Sequence, residues 1–320
     1  MPQRHQPPAR EIDYRTEPPP DISPRWLFTA LSLALLAAAL CAYAALCLLF
    51  YQGQWQLIFH PSRAITATPA SAGLAYKEIH FDVTEGGLPQ LDGWWIPADP
   101  QSKYVTVAVL YLHDANGSLS GCVPALATLH STGVNVFAFD YRGFGRSAGS
   151  HPTERLATAD SIAAWTYLTD TRHIPPRNLI VFGDGVGATF AARLAAQFAP
   201  AGVILEDPNP PARQILLSDA RARILPLWLL QNQRLDPSAD LASSHIPRLF
   251  LDRRGDAEVS TVHASGVAAP HSTRARALFE ASSYPKQYFD LRAFPETSPE
   301  ASPDSALTAT LARFYDDVLH

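Results

Sequence analysis

Two regimes of hydrophobic patterning divide this chain. From Trp26 to Tyr51 apolar residues follow one another without a charge, whereas beyond Arg63 short apolar runs alternate with amphipathic stretches. Leu74–Val83 and Leu91–Ala98 predict a strand pair joined at Thr84-Glu85-Gly86-Gly87. Val105–Leu112, Val134–Asp140, Asn178–Phe182, Gly202–Glu206, Arg248–Asp252 and Gln287–Ala293 predict six further strands. Between them Ser120–Ser131, Thr153–Thr169, Ala188–Ala196, Thr273–Ser283 and Asp304–Leu319 carry helical periodicity. Continuous apolar strands separated by amphipathic helices predict a mostly parallel sheet of eight strands covered on both faces. Asn209–His245 is too short for a large lid domain.

The first regime has its own meaning. At about 1.5 Å per residue, a helix over 26–51 crosses a hydrocarbon layer of ~30 Å with some tilt. Arg4, Arg10, Arg15 and Arg25 precede it, and the next basic residue is Arg63. That bias places the N-terminus in the cytoplasm and the following domain across the cytoplasmic membrane, on the periplasmic or extracytoplasmic side. The competing reading is a cleaved signal peptide, for which Ala42-Tyr43-Ala44 offers a small-x-small site. The expected organisation is a disordered tail over 1–25, a transmembrane helix over 26–51, a membrane-proximal linker over 52–73 and one domain over 74–320. Trp55 and Phe59 are expected in an interfacial collar. The bilayer is thus the one partner the sequence names.

Composition narrows the function classes. A net charge of −5 and 17% charged residues give no basic footprint for nucleic acid. Three cysteines make no disulfide framework. His, Cys and carboxylate spacings show no metal site, and no cofactor is expected.

Chemistry concentrates at Gly183-Asp184-Gly185-Val186-Gly187, between an apolar strand and a helix. A strand, a Gly-x-Ser-x-Gly turn and a helix form a nucleophile elbow. Here Gly185 stands at the serine position, so the turn signal is present and the nucleophile absent. The nearby Gly145-Arg146-Ser147-Ala148-Gly149 satisfies the same pattern, but Ser150, His151 and Pro152 separate it from its helix. Ser147 is therefore a decoy. Gly183-x-Gly185-x-x-Ala188, with Glu206 some twenty residues on, also fits a dinucleotide fingerprint, although such a fingerprint belongs on a first strand.

Leu110-Tyr111-Leu112-His113, Asp140-Tyr141-Arg142-Gly143-Phe144-Gly145-Arg146-Ser147, Leu91–Ala98 and Leu57–Pro61 extend the pattern. Together these stretches resemble the single-span, membrane-anchored α/β-hydrolase-domain proteins, relatives of the serine-aminopeptidase-like esterases. The resemblance runs over about residues 50 to 320. It implies an α/β-hydrolase fold and a Ser-acid-His triad in that chain order. The serine position falls on Gly185, the acid on Asp256, and the histidine near Glu296. The implied oxyanion loop is His113, Asp114 and Ala115, with Val186 after the elbow. Where the family has His-Gly this chain has His113-Asp114, and a carboxylate there opposes the charge that develops in acyl transfer. The expected function is a non-catalytic, membrane-tethered relative that binds an unidentified ligand or protein. The alternatives are an active esterase or peptidase with another constellation and, more remotely, dinucleotide binding.

Overall fold

The computed structural model describes residues 23–83, 89–253, 271–291 and 303–319. It divides into two compact units, Met1–Leu49 and Phe50–His320. In the first, helix α1 (Pro24–Gly53, running on into the second unit) exposes Trp26, Phe28, Leu33, Leu35, Leu40 and other apolar side chains along its length. Among the described residues it is the one helix long and apolar enough to cross a membrane, with a mean hydropathy of 2.5, and a signal sequence meets the same criterion.

The second unit is organised by an eight-stranded sheet. Its strands are β1 (Lys77–Val83), β2 (Pro89–Ile96), β3 (Ala108–Leu112), β4 (Asn135–Asp140), β5 (Leu179–Asp184), β6 (Gly202–Glu206), β7 (Arg248–Asp252) and β8 (Lys286–Asp290). They lie side by side as β8-β7-β6-β5-β3-β4-β2-β1. β1 and β2 pair antiparallel, as do β2 and β4, and every other neighbouring pair is parallel. The eight strands expected from the apolar runs are all present. β3 is shorter than expected, because Lys103–Thr106 turn instead of extending.

Alternation along the strands feeds two layers. Val109, Tyr111, Ile180, Phe182, Ile204, Leu249 and Leu251 join one core with α2 (Leu119–Ser131) and the last helix of the chain, 303–319. α3 (Glu154–Thr166) and α4 (Gly187–Phe198) pack together on the other side, where Phe81, Phe137, Phe139 and Tyr167 form an aromatic cluster. Thr153 caps α3, its hydroxyl accepting from the Leu156 N–H at 3.2 Å, a contact of about 1 kcal/mol. Three short helices follow β6: α5 (Ala212–Leu217), α6 (Leu227–Leu230) and α7 (Ser238–Ser243). Periodicity gave no sign of them, since each is two turns or less. α8 (His271–Ala281) precedes β8, and α9 (Pro303–Leu319) ends the described chain.

Residues 50–73 belong to the same compact unit as the sheet. His60–Pro61 pair with Asn116–Gly117. Phe59 is 1% exposed and meets Phe144 edge-on, so it is a core residue and not part of an interfacial collar. Trp55 stacks on His151 with ring centroids 5.2 Å apart. The reason is local: the chain turns through a short 3-10 helix at Gln54–Leu57 and carries Ile58 and Phe59 inward.

Candidate active site at the elbow

The elbow forms where β5 ends and α4 begins. Gly185 has φ +58, the left-handed region that glycine enters at little cost. Its N–H donates to the Glu206 carbonyl at 2.9 Å, which ties the turn to the end of β6. Gly187 brings α4 against β3 so closely that a β-carbon there would lie 2.0 Å from the Leu112 carbonyl oxygen. Turn, strand and helix thus have the geometry the sequence pattern implied, and residue 185 stands at its apex without a side chain.

Asp114 fills the vacated space. It leaves the end of β3, and its Oδ1 lies 2.1 Å from the point a β-carbon on Gly185 would occupy. That oxygen accepts from the Val186 N–H at 2.9 Å and from the Asn209 side-chain amide at 3.1 Å. Oδ2 accepts from the Asn116 amide at 2.9 Å. The amide following the nucleophile position is the elbow's oxyanion donor. In this chain that donor is engaged by a resident carboxylate. Asp114 is therefore more than a nearby opposing charge, as the sequence suggested: its carboxylate occupies the space beside Gly185 and bonds the Val186 N–H. Asn209, which helps hold it there, lies in no motif that would single it out in the sequence, and Asn116 begins Asn116-Gly117-Ser118, which fits a glycosylation sequon and gives no sign of this role.

His113 turns the other way. It is fully buried, with Tyr141 and Phe144 against its ring. Its Nδ1 is 2.6 Å from the Asp114 carbonyl oxygen, and burial pushes its pKa down to about 4. Its Nε2 lies 3.7 Å from Asp140 Oδ1. Burial raises Asp140 to about 7, against the Leu119 N–H bond that opposes the rise. That bond, 2.9 Å long, makes Asp140 the cap of α2, whose own N-cap Ser118 makes no capping bond. Ala115 is buried, and its carbonyl accepts from the His60 N–H at 2.8 Å.

Acids crowd the strand ends around the elbow. Asp184 and Glu206 are paired across β5 and β6, and the Tyr111 hydroxyl donates to Asp184 at 3.4 Å. Arg253 enters this rim, its Nε 2.7 Å from Glu206 Oε1 and its N–H donating to Asp207 Oδ1 at 2.9 Å. The Tyr288 hydroxyl donates to Asp252 at 2.9 Å. Among the described residues no group of three His, Cys, Asp or Glu is arranged to hold a metal. Asp256 and Glu296, the acid and histidine positions implied by the resemblance, lie outside the described residues, as do His263 and His320.

The remaining hydroxyls and the thiol near the site have structural employment. The Ser147 hydroxyl donates to the Asp140 carbonyl and accepts from the Asp92 N–H at 3.0 Å. Arg63 clasps the same loop through the carbonyls of Gly145, Ser147 and Gly149. Ser118 donates to Ala64 O at 3.1 Å and Ser120 to Ala67 O at 2.9 Å. Burial raises the Cys122 thiol, which disfavours a thiolate. For the dinucleotide pattern the elbow is also poorly disposed. It sits on the fifth strand, its helix-entry amide at Val186 is engaged by Asp114, and Glu206 is paired with Arg253.

Comparison with known proteins agrees with this geometry. Residues 105–250 match the family described as serine aminopeptidase, S33 (Hydrolase_4). An uncharacterized Mycobacterium tuberculosis protein, Rv2307c, is 26% identical over 289 residues, covering 89% of this chain and 95% of its own. The human α/β hydrolase domain-containing protein 17B is 37% identical over 87 residues, 27% of this chain and 30% of the human one. The esterase Pf2001 of Pyrococcus furiosus superposes with a TM-score of 0.58 at 19% identity, over 82% of this chain and 98% of the esterase. The chain has the α/β-hydrolase fold, and its residues 105–250 are similar to the serine aminopeptidase, S33 family.

Proposed function

We propose that this protein is a membrane-tethered pseudohydrolase that keeps the α/β-hydrolase fold and acts by binding. The observation that carries the proposal is the placement of Asp114 against Gly185. An alcohol nucleophile needs a side chain, a base and a donor for the oxyanion. At this elbow the side chain is missing, and the donor at Val186 is bonded to a carboxylate at 2.9 Å. An incoming carbonyl would have to displace Asp114 from three hydrogen bonds before it met that donor. Losing the serine alone costs about a million-fold in turnover in subtilisin, as much as losing the whole triad. The apolar helix α1 supports the tether, and the arginines before it support a domain on the far side of the cytoplasmic membrane.

A serine-reactive fluorophosphonate probe tests the reading. The full chain, purified in detergent, should remain unlabelled under conditions that label an active esterase of the same fold. Labelling that maps to any serine of this chain would establish a hydrolase with a different constellation and defeat the proposal.

A further inference from the structure

The segment between β6 and β7 exposes apolar side chains that the fold does not use. Outside α1, the described residues expose six large hydrophobic side chains, and four of them are Leu217, Ile224, Trp228 and Leu229. Trp228 is 86% exposed, a costly position for an indole in water. Arg213, Arg221, Arg223 and Arg234 are exposed within residues 213–234, where the one acid is Asp219, which bonds Arg221 at 2.7 Å. This is a locally basic stretch in a chain of net charge −5.

Its position gives the patch a meaning. The Gln54 side-chain amide donates to the Leu230 carbonyl at 3.0 Å, and Gln54 Oε1 accepts from the Asn232 N–H at 3.3 Å. Gln54 is 1% exposed, and the Arg221 guanidinium lies 5.8 Å from the Phe50 ring centroid. Gln54 follows the last residue of the uncharged apolar run, Tyr51, by three positions. The segment that carries the exposed tryptophan is therefore bonded, through Leu230 and Asn232, to the point where the chain leaves that run.

We infer that residues 217–229 dock on the bilayer, with Trp228, Leu229 and Ile224 at the headgroup–acyl boundary and the arginines on anionic lipid phosphates. The inference rests on the tether proposed above. Amphipathic aromatics favour that depth, and basic residues beside it are drawn to an anionic surface. Chain continuity through Gln54 holds the patch beside the lipid. It also explains why an unburied indole is tolerated: its partner is the membrane already attached to the same chain.

Spin labels on the full chain provide the test, in a background of Cys41→Ser, Cys47→Ser and Cys122→Ser. One label is placed by Trp228→Cys, one by Leu36→Cys within the apolar run, and one by Glu280→Cys on the exposed face of α8. The protein is reconstituted in vesicles of phosphatidylcholine and phosphatidylglycerol, and collision with oxygen is compared with collision with a water-soluble nickel chelate. Labels at 228 and 36 should favour oxygen, and the label at 280 should favour nickel. Nickel preference at 228 with oxygen preference at 36 overturns the docking and leaves the tether standing. Nickel preference at 36 overturns the tether and the docking with it. Spin–spin broadening at 228 that grows with protein concentration overturns lipid docking in favour of a second copy. Arg213→Glu with Arg223→Glu should lower the oxygen preference at 228 without changing it at 36. An unchanged ratio at 228 overturns the role of anionic lipid.

Discussion

Asp114 and Gly185 exclude each other's side chains: the Asp114 Oδ1 lies 2.1 Å from the place of a β-carbon on residue 185. The two positions follow the ends of different strands, 71 residues apart in sequence, and meet only because β3 and β5 are neighbours. Each makes the other intelligible. A glycine at the apex gives the carboxylate room, and the carboxylate satisfies the amide that a nucleophile's oxyanion would otherwise use.

This exclusion has a thermodynamic consequence. Gly185→Ser should cost roughly 2–4 kcal/mol, about 1 from the left-handed backbone and the rest from overpacking against Asp114. Asp114→Ala alone should cost about 1–3 kcal/mol, because it leaves the Val186, Asn209 and Asn116 donors without their acceptor. The double variant should be more stable than the sum of the two losses implies, by about 1 kcal/mol or more. Urea unfolding of all four proteins checks the cycle, and strict additivity would contradict the packing described.

Catalysis should be equally non-additive. Gly185→Ser alone is expected to leave hydrolysis of nitrophenyl acetate at the level of the parent, because Asp114 still holds the oxyanion donor and no base is supplied. Asp114→Gly and a histidine at the position implied near Glu296 supply the remaining parts, with Asp256 as the implied orienting acid. Only the triple variant should turn over measurably, with histidine scanned over positions 294–297. An active single variant would mean that the pocket opens readily.

The buried pair beside the elbow predicts a pH signature. Asp140 keeps its proton in the fold up to about pH 7, whereas an unfolded carboxyl releases it near 3.8. Between those values the folded chain binds more protons, so this group's contribution is greatest below about pH 4 and is lost as pH rises through 7. His113 acts oppositely. Its pKa falls from 6.5 to about 4, so its contribution is present above 6.5 and lost as pH falls through 4. Asp140→Asn keeps an acceptor for the Leu119 N–H and removes only the first effect. The stability of the parent relative to this variant should therefore decline from pH 5 to pH 7, by at most ~1.4 kcal/mol per pH unit. Urea midpoints at the two pH values read the sign directly, and a parent that gains on the variant as pH rises would refute it.

Orientation is open to a fusion experiment. With arginines before the apolar run, a periplasm-dependent phosphatase joined after His320 should be active, and a cytoplasm-dependent reporter at the same place should be silent. Activity of the cytoplasmic reporter would reverse the topology.

Much of this was legible along the chain. The hydrophobic pattern located all eight strands, and the central ones, buried on both faces, are hydrophobic throughout. The Gly-x-Gly-x-Gly turn located the elbow, because only close strand–helix approach and a left-handed residue demand glycines at that spacing. The short helices α5, α6 and α7 were not legible, being too brief for a helical period to show. Phe59 was misplaced for a related reason. An aromatic residue beside an apolar run suits an interface and a core equally, and here the turn at Gln54–Leu57 decides for the core.

The division follows from the range of the interactions. Periodicity, turn residues and the uncharged span are local properties, and they specify the α/β alternation, the elbow and the candidate membrane helix without reference to anything distant. Which residue fills the elbow is a contact between two strand ends, and the bond that ties Gln54 to Leu230 across 176 positions is equally remote from local sequence. A missing serine is visible in the sequence. That an aspartate has taken its space, held by two asparagines from separate loops, is decided only when the sheet sets β3, β5 and β6 side by side.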